Sequence, residues 1–148
     1  EYPRGIPNNL FPFITQVAIG RQKVLSIYGD DWETKDGSGI RDYIHIIDLA
    51  EGHLASIDYL NTSESCLEFI NLGSGKGYSV FQIIRQFELS TGCRIPFSIE
   101  SRRDGDVAVS YADISKAKRL LNWTPKRSLE QICLDGWNWQ MKNPNGYG

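Results

Sequence analysis

The chain has no apolar run near the roughly 18 residues that a membrane-spanning helix requires. Its first residues, EYPRGIPNN, lack the charged-then-apolar layout of a secretory leader. The expectation is a cytoplasmic protein. Cysteine is sparse and unpaired in pattern: Cys66, Cys93 and Cys133 form an odd set without CxxC spacing, which argues against a disulfide framework or a zinc site and for buried free thiols. No charge of one sign dominates either. The 16 basic and 18 acidic residues are spread along the whole length for a net charge of -2, so no basic stripe is available for nucleic acid or an anionic membrane. Low-complexity linkers and internal repeats are also missing. What remains is a chain of 148 residues, 41% hydrophobic and 23% charged, the composition of one globular unit with a core. The triplet Asn61-Thr62-Ser63 is a glycosylation sequon that matters only in a secreted chain.

Hydrophobic spacing divides the chain into alternating helices and strands, which predicts a mixed α/β protein. Pro12 suits the first turn of a helix that runs through Phe13, Ile14, Val17 and Ala18 to a stop at Gly20. Val24 to Tyr28 reads as a strand, the polar stretch from Asp30 to Gly39 as a loop, and Asp42 to Ile47 as extended. Asp48 with Glu51 resembles a capping box, opening a helix with Leu49, His53, Leu54, Ile57 and Leu60 near one face. Leu67 to Leu72 reads as a strand. Ser79 with Gln82 makes a second capping box, followed by Val80, Ile83, Ile84 and Phe87 at i, i+3, i+4, i+7. Ile95 to Ile99 is a strand candidate and Ser115 to Leu121 a short helix. A last helix opens at Ser128 and Gln131 and is buried through Leu129, Ile132, Cys133, Gly136 and Trp137.

Several motifs invite a functional reading that their spacing does not sustain. Gly73, Gly75 and Gly77 lie between a strand and a helix, where a dinucleotide loop belongs, but the fingerprint GxGxxG needs glycine where Tyr78 stands. Lys76 is not followed by Ser or Thr at the place a phosphate loop requires. A tight turn using glycine's tolerance of positive φ is the better reading. His45 and His53 lack the clustered ligands of a metal site and suit packing or surface roles. Trp123, Trp137 and Trp139 could form a stacking platform, yet packing is the default for aromatics on a terminal helix.

The segments GIPNNLFPFITQVAIG, DGSGIRDYIHIIDLAEGH, FINLGSGKGYSV, RRDGDVAVSYAD, LNW and NPNGY, in this order and spacing, resemble the UDP-glucose 4-epimerases of the extended short-chain dehydrogenase family from the first residues to the last. The resemblance implies an α/β fold: a small substrate-binding domain together with elements that complete a Rossmann domain. Residues 1–148 would be the carboxyl-terminal UDP-sugar-binding part, with the amino-terminal NAD-binding domain absent. Such enzymes remove hydride from C4 of a UDP-hexose onto NAD and return it to the other face, using a tyrosine in a YxxxK motif. No tyrosine here has lysine four residues later, so no catalytic residue and no bound NAD are expected in this chain, and NAD only in the intact enzyme. A homo-oligomer is also expected, because apolar faces around Phe69 to Leu72 would lack their cover.

The same resemblance assigns the substrate-binding residues. A diphosphate calls for planar, bidentate donors, which is arginine chemistry, and the family has arginines at Arg41 and Arg103. Asp106 matches a carboxylate that accepts from ribose hydroxyls. Ser26, Ile27 and Tyr28 match a strand whose backbone pairs with the uracil edge and whose aromatic residue covers the ring. Asn9 matches a substrate-contacting asparagine, and Ser110 a small residue bordering the C2 substituent of the sugar. From the residues alone, Arg41 beside Asp42 could be a structural ion pair, Arg102 with Arg103 a solvated loop, Asp106 a turn residue, Tyr28 a strand-end packing group, and Asn8 or Asn9 a helix cap. Another nucleotide-sugar-modifying enzyme of the superfamily, or a non-catalytic nucleotide-sugar-binding module, stays open.

Overall fold

The computed structural model describes residues 7–146; Gly5, Ile6 and Tyr147, which belong to the first and last of the resembling segments, lie outside them. The elements run α1 (Leu10–Ala18), β1 (Leu25–Tyr28), β2 (Ile40–Asp42), α2 (Ile46–Thr62), β3 (Gly77–Ser79), α3 (Val80–Thr91), β4 (Phe97–Glu100), β5 (Val109–Ser110), α4 (Ser115–Leu121) and α5 (Leu129–Lys142). The α/β expectation holds.

The main core lies where α1, α3 and α5 pack beside β1. The i, i+3, i+4, i+7 pattern of α3 delivers Ile83, Ile84 and Phe87 to it, where they meet Ile14, Val17, Leu25, Ile27, Ile95 and Cys133. Phe87 is the centre. Its ring meets those of Phe11 and Trp137 edge to face, at centroid distances of 6.2 and 6.1 Å. Two capping boxes form: Ser79 accepts from the Gln82 amide and Ser128 from the Gln131 amide, with each glutamine reaching back to the cap. β1 pairs with β4 in parallel, Leu25 opposite Phe97 through Tyr28 opposite Glu100. A separate sheet has the order β3-β2-β5, with β2 antiparallel to β3 and parallel to β5.

A second cluster gathers Ala117, Leu121 and Trp123 under Ile44, Tyr59 and Leu72. Trp123 and Trp137 therefore pack, as expected. Around this cluster the structure departs from sequence expectation. The stretch read as extended, Asp42 to Ile47, leaves its strand at Asp42 and becomes helix at Ile46. His45, not Asp48, caps α2: its Nδ1 accepts from the Ile47 amide at 3.1 Å, and its Nε2 lies 3.0 Å from Asp135. Asp48 is unavailable for capping because it is buried and taken by Arg127, whose backbone amide and guanidinium both donate to it. Leu67 to Leu72 forms no strand, for among the described residues no neighbouring strand offers it hydrogen bonds. The thiols also differ from expectation: Cys133 is buried, Cys93 half-buried and Cys66 exposed, and all three are free.

Candidate functional site: a cleft at the ends of two parallel strands

β1 and β4, being parallel, release their chains at the same end, and the two loops that follow, 29–39 and 101–108, both contribute residues to the lining of a cleft. It measures about 720 Å³ and is also bordered by the start of α1 and by β2. Asn9, Ser26, Ile27, Tyr28, Arg41, Arg103 and Asp106 all line it, so seven of the eight candidate residues meet in one place. Ser110 lies outside the lining, exposed on β5 with Arg41 as its register partner.

Strand geometry decides what β1 can offer. The amides of Leu25 and Gly29 donate toward the β4 side, to Pro96 and Glu100 at 2.9 Å each. By the two-residue alternation of a strand, the polar groups of Ser26 and Tyr28 face the opposite edge. Among the described residues that edge has no strand beside it, so it presents the amide and carbonyl of Ser26 and the amide of Tyr28 along one wall of the cleft, while the Tyr28 carbonyl accepts from the Trp32 indole at 3.1 Å. Ile27 has its side chain in the core, and by the same alternation its amide and carbonyl face β4 with those of Leu25 and Gly29, so it borders the cleft without an open polar group. Asn9 stands at the N-cap position of α1 without a side-chain capping bond; its carbonyl accepts from Phe13 at 3.3 Å, which leaves the carboxamide for other work.

Charged side chains also line the cleft. Arg41 NH1 donates to the carbonyl of Ile40 at 2.9 Å, and NH2 lies 3.4 Å from Asp106 Oδ1. The Arg103 guanidinium carbon sits 3.6 Å from the centre of the Tyr28 ring, a cation-π stack. Arg102, the adjacent residue, stacks on Trp32 at 4.1 Å and donates from Nε to Asp31 Oδ1 at 2.7 Å. That hydrogen bond holds the Asp31 carboxyl below the ordinary carboxylate range. Tyr43, also in the lining, is a phenol pushed up to about 12, because burial opposes its ionisation more than Arg41 favours it. Sequence reasoning missed Trp32; it stands in a polar loop with no periodic pattern, and only its neighbours in space give it meaning.

The glycine-rich turn has a different occupant from a phosphate. Asp42 inserts its carboxylate: Oδ1 accepts from the Ser74 amide at 2.7 Å and hydroxyl at 2.5 Å, and Oδ2 from the amides of Gly75 and Ala112 at 3.2 and 3.1 Å. A Cβ on Gly73 would lie 2.5 Å from Asp42 Oδ2, and Gly75 has φ +68°. The glycines thus serve close approach and a left-handed turn. With these amides committed to an internal carboxylate, the turn does not fit the pyrophosphate of a dinucleotide. No cluster of His, Cys, Asp and Glu suited to a metal occurs among the described residues, and no helix there is long and apolar enough to cross a membrane.

The sequence model of a protein family described as GDP-mannose 4,6 dehydratase matches residues 2–135. UDP-glucose 4-epimerase of Bacillus subtilis is 49% identical over 147 residues, covering 99% of this chain and 43% of the relative; that of Homo sapiens is 48% identical over 148 residues, covering 42% of the relative. The chain therefore spans about two fifths of the length of the curated relatives it matches. Among solved structures, UDP-glucose 4-epimerase from Bifidobacterium longum in complex with NAD+ and UDP superposes with a TM-score of 0.93 at 46% identity, over 98% of this chain and 43% of the other. The Stenotrophomonas maltophila enzyme, with bound NAD and formylated UDP-arabinopyranose, gives 0.92 at 46% identity, over 96% and 42%.

Proposed function

The chain belongs to the family described as GDP-mannose 4,6 dehydratase, and on that premise we propose that it is the UDP-sugar-binding portion of a UDP-glucose/UDP-galactose 4-epimerase. The observation that carries this reading is the cleft itself, which brings seven of the eight candidate residues to one surface. Its chemistry matches the ligand. The unpaired edge of β1 offers main-chain donors and acceptors to the rim of uracil, and Tyr28 offers a flat face to the ring. Arg41 and Arg103 supply forked cationic donors for the diphosphate, and Asp106 an acceptor for ribose hydroxyls. Ser110, beside Arg41 in register, would border the sugar at C2, leaving room for an acetamido group.

We assign residues 1–148 to the carboxyl-terminal part of the whole enzyme and its NAD to an amino-terminal domain outside this chain. The glycine turn filled by Asp42 supports that division. So do the exposed apolar residues around α2 and Leu67 to Leu72, which suit burial against another domain or, in the chain alone, against a second copy. Free thiols throughout fit a cytoplasmic setting.

The test is calorimetric titration of UDP into the purified chain. Binding is expected, with Arg103→Ala and Arg41→Ala each weakening it by about 1.5 to 3 kcal/mol, the range for hydrogen bonds to charged groups. Absence of binding, or unchanged affinity in both variants, overturns the reading. Turnover of UDP-galactose by the chain alone would overturn the division of labour.

A further inference from the structure

Arg102 and Arg103 are neighbours in sequence but face different partners, and the geometry points to a division of roles: Arg102, with Asp31 and Trp32, is a positioning group that sets Arg103 over the Tyr28 ring before any ligand arrives. This rests on the UDP-cleft reading above. Four connections link the neighbour of Arg103 to the loop that follows Tyr28 and to Tyr28 itself. Arg102 Nε donates to Asp31 Oδ1 at 2.7 Å, and NH2 donates to the Asp31 carbonyl. Its guanidinium carbon lies 4.1 Å from the centre of the Trp32 ring, and the Trp32 indole N–H donates to the Tyr28 carbonyl at 3.1 Å. The loop after β4 is thereby tied to the loop after β1 at the point where Arg103 meets Tyr28.

Two further observations favour positioning over stability. The Arg102 side chain is 42% exposed and that of Asp31 68%, and ion pairs so exposed contribute little to folding. The backbone is nevertheless shaped for the contact: Gly29 has φ +83°, and a Cβ there would lie 2.6 Å from Trp32 Nε1 and 2.8 Å from Arg102 Cγ. An arginine on a loop loses rotamer freedom when it grips a ligand. Holding its neighbour in place beforehand lowers that cost, which is the logic of preorganisation.

The experiment is a double-mutant cycle read by UDP titration into the chain, with thermal melting alongside. Arg102→Ala should weaken UDP about fivefold, as expected for loss of an exposed cation-π stack and two exposed hydrogen bonds to Asp31, and leave the melting midpoint unmoved. In an Arg103→Ala background the same change should have no further effect. Arg102→Lys, which keeps the charge but loses the planar fork, should be as weak as the alanine variant. Asp31→Ala removes the carboxylate that accepts from Arg102 Nε, at a position 68% exposed, but leaves the bond to the Asp31 carbonyl and the Trp32 stack, so it should reproduce part of the loss. Equal losses in both backgrounds, or full rescue by lysine, would mean that Arg102 acts on the diphosphate directly. Unaltered affinity for Arg102→Ala and Asp31→Ala, while Arg103→Ala weakens UDP, would mean that the brace is idle. If Arg103→Ala itself changes nothing, the cleft reading falls and the brace with it.

Discussion

Helices α2 and α3 look alike in sequence, each an apolar stripe at helical spacing behind a polar opening, yet they end in opposite surroundings. On α3, Ile83 and Phe87 are fully buried; on α2, Leu54, Ile57 and Leu60 are 62%, 54% and 58% exposed. Leu67 and Phe69, just beyond α2, are more exposed still at 82% and 81%. Periodicity tells which face of a helix is apolar; only tertiary neighbours tell whether anything covers it. α3 is covered by α1, α5 and β1 of the same chain. For α2 the chain supplies α4 and Trp123 on one side alone.

The sharpest way to break this comparison is to remove one aromatic ring from each region. Phe87→Ala should cost about 3 to 5 kcal/mol, because it deletes a fully enclosed ring and leaves Phe11 and Trp137 facing a cavity. Phe69→Ala should change stability by less than about 0.5 kcal/mol. Urea denaturation of both variants measures the contrast; similar losses would mean that Phe69 is covered in solution.

Next in size is the one firm anchor of the α2 side. Asp48 is buried, and burial opposes its charge; yet the amides of Arg127 and Lys126 and the Arg127 guanidinium outweigh that, holding its carboxyl below the ordinary range. Arg127 also reaches Glu51 at 3.0 Å. Since the folded-state pKa is lowered, the stabilisation is present above the unfolded value of about 3.9 and lost as pH falls through the folded value. Asp48→Asn should cost about 3 kcal/mol near neutrality, as broken buried pairs do. It should also make the acid arm of the stability profile shallower, measured by denaturation between about pH 2 and 7. An unchanged acid arm would remove Asp48 from the groups that titrate on unfolding.

Sequence reasoning succeeded where a signal was local. Ser79, Gln82, Ser128 and Gln131 form their capping boxes because the partners stand three residues apart on one chain segment. It failed where the partner was distant. Asp48 carries the same local signal with Glu51, but Arg127, 79 residues away, claims the carboxylate, and His45 caps the helix by accepting from the Ile47 amide, with Asp135 against its other ring nitrogen. Leu67 to Leu72 has strand composition, and a strand exists only beside another. The cleft divides in the same way. Arg41, Arg103 and Tyr28 were legible through the family resemblance, whereas Trp32, stacked under Arg102, and the Asp42 carboxylate in the glycine turn take their roles from contacts across tens of residues.

The smallest expected effect on stability carries the most direct reading of the uncovered side. Leu54→Lys and Phe69→Lys place a charge on surface that the chain leaves in water, so neither disturbs packing, and each should shift stability by less than about 0.5 kcal/mol. Their effect should appear in association instead. Contiguous exposed apolar surface seeks cover, and the unpaired backbone beside Phe69 adds a template for edge pairing. A lysine at either point opposes both, since closing a second copy over it would strip water from an unpartnered charge. The unmodified chain should therefore self-associate in sedimentation over micromolar to millimolar concentration, and the double variant should run closer to a monomer while keeping its helical signal. The same substitution at a position of α3 would unfold the main core, which separates a surface effect from a general loss of structure. A monodisperse monomer before substitution would mean that α2 and the segment after it find cover within their own chain, and the contrast between the two helices would then belong to the static structure alone.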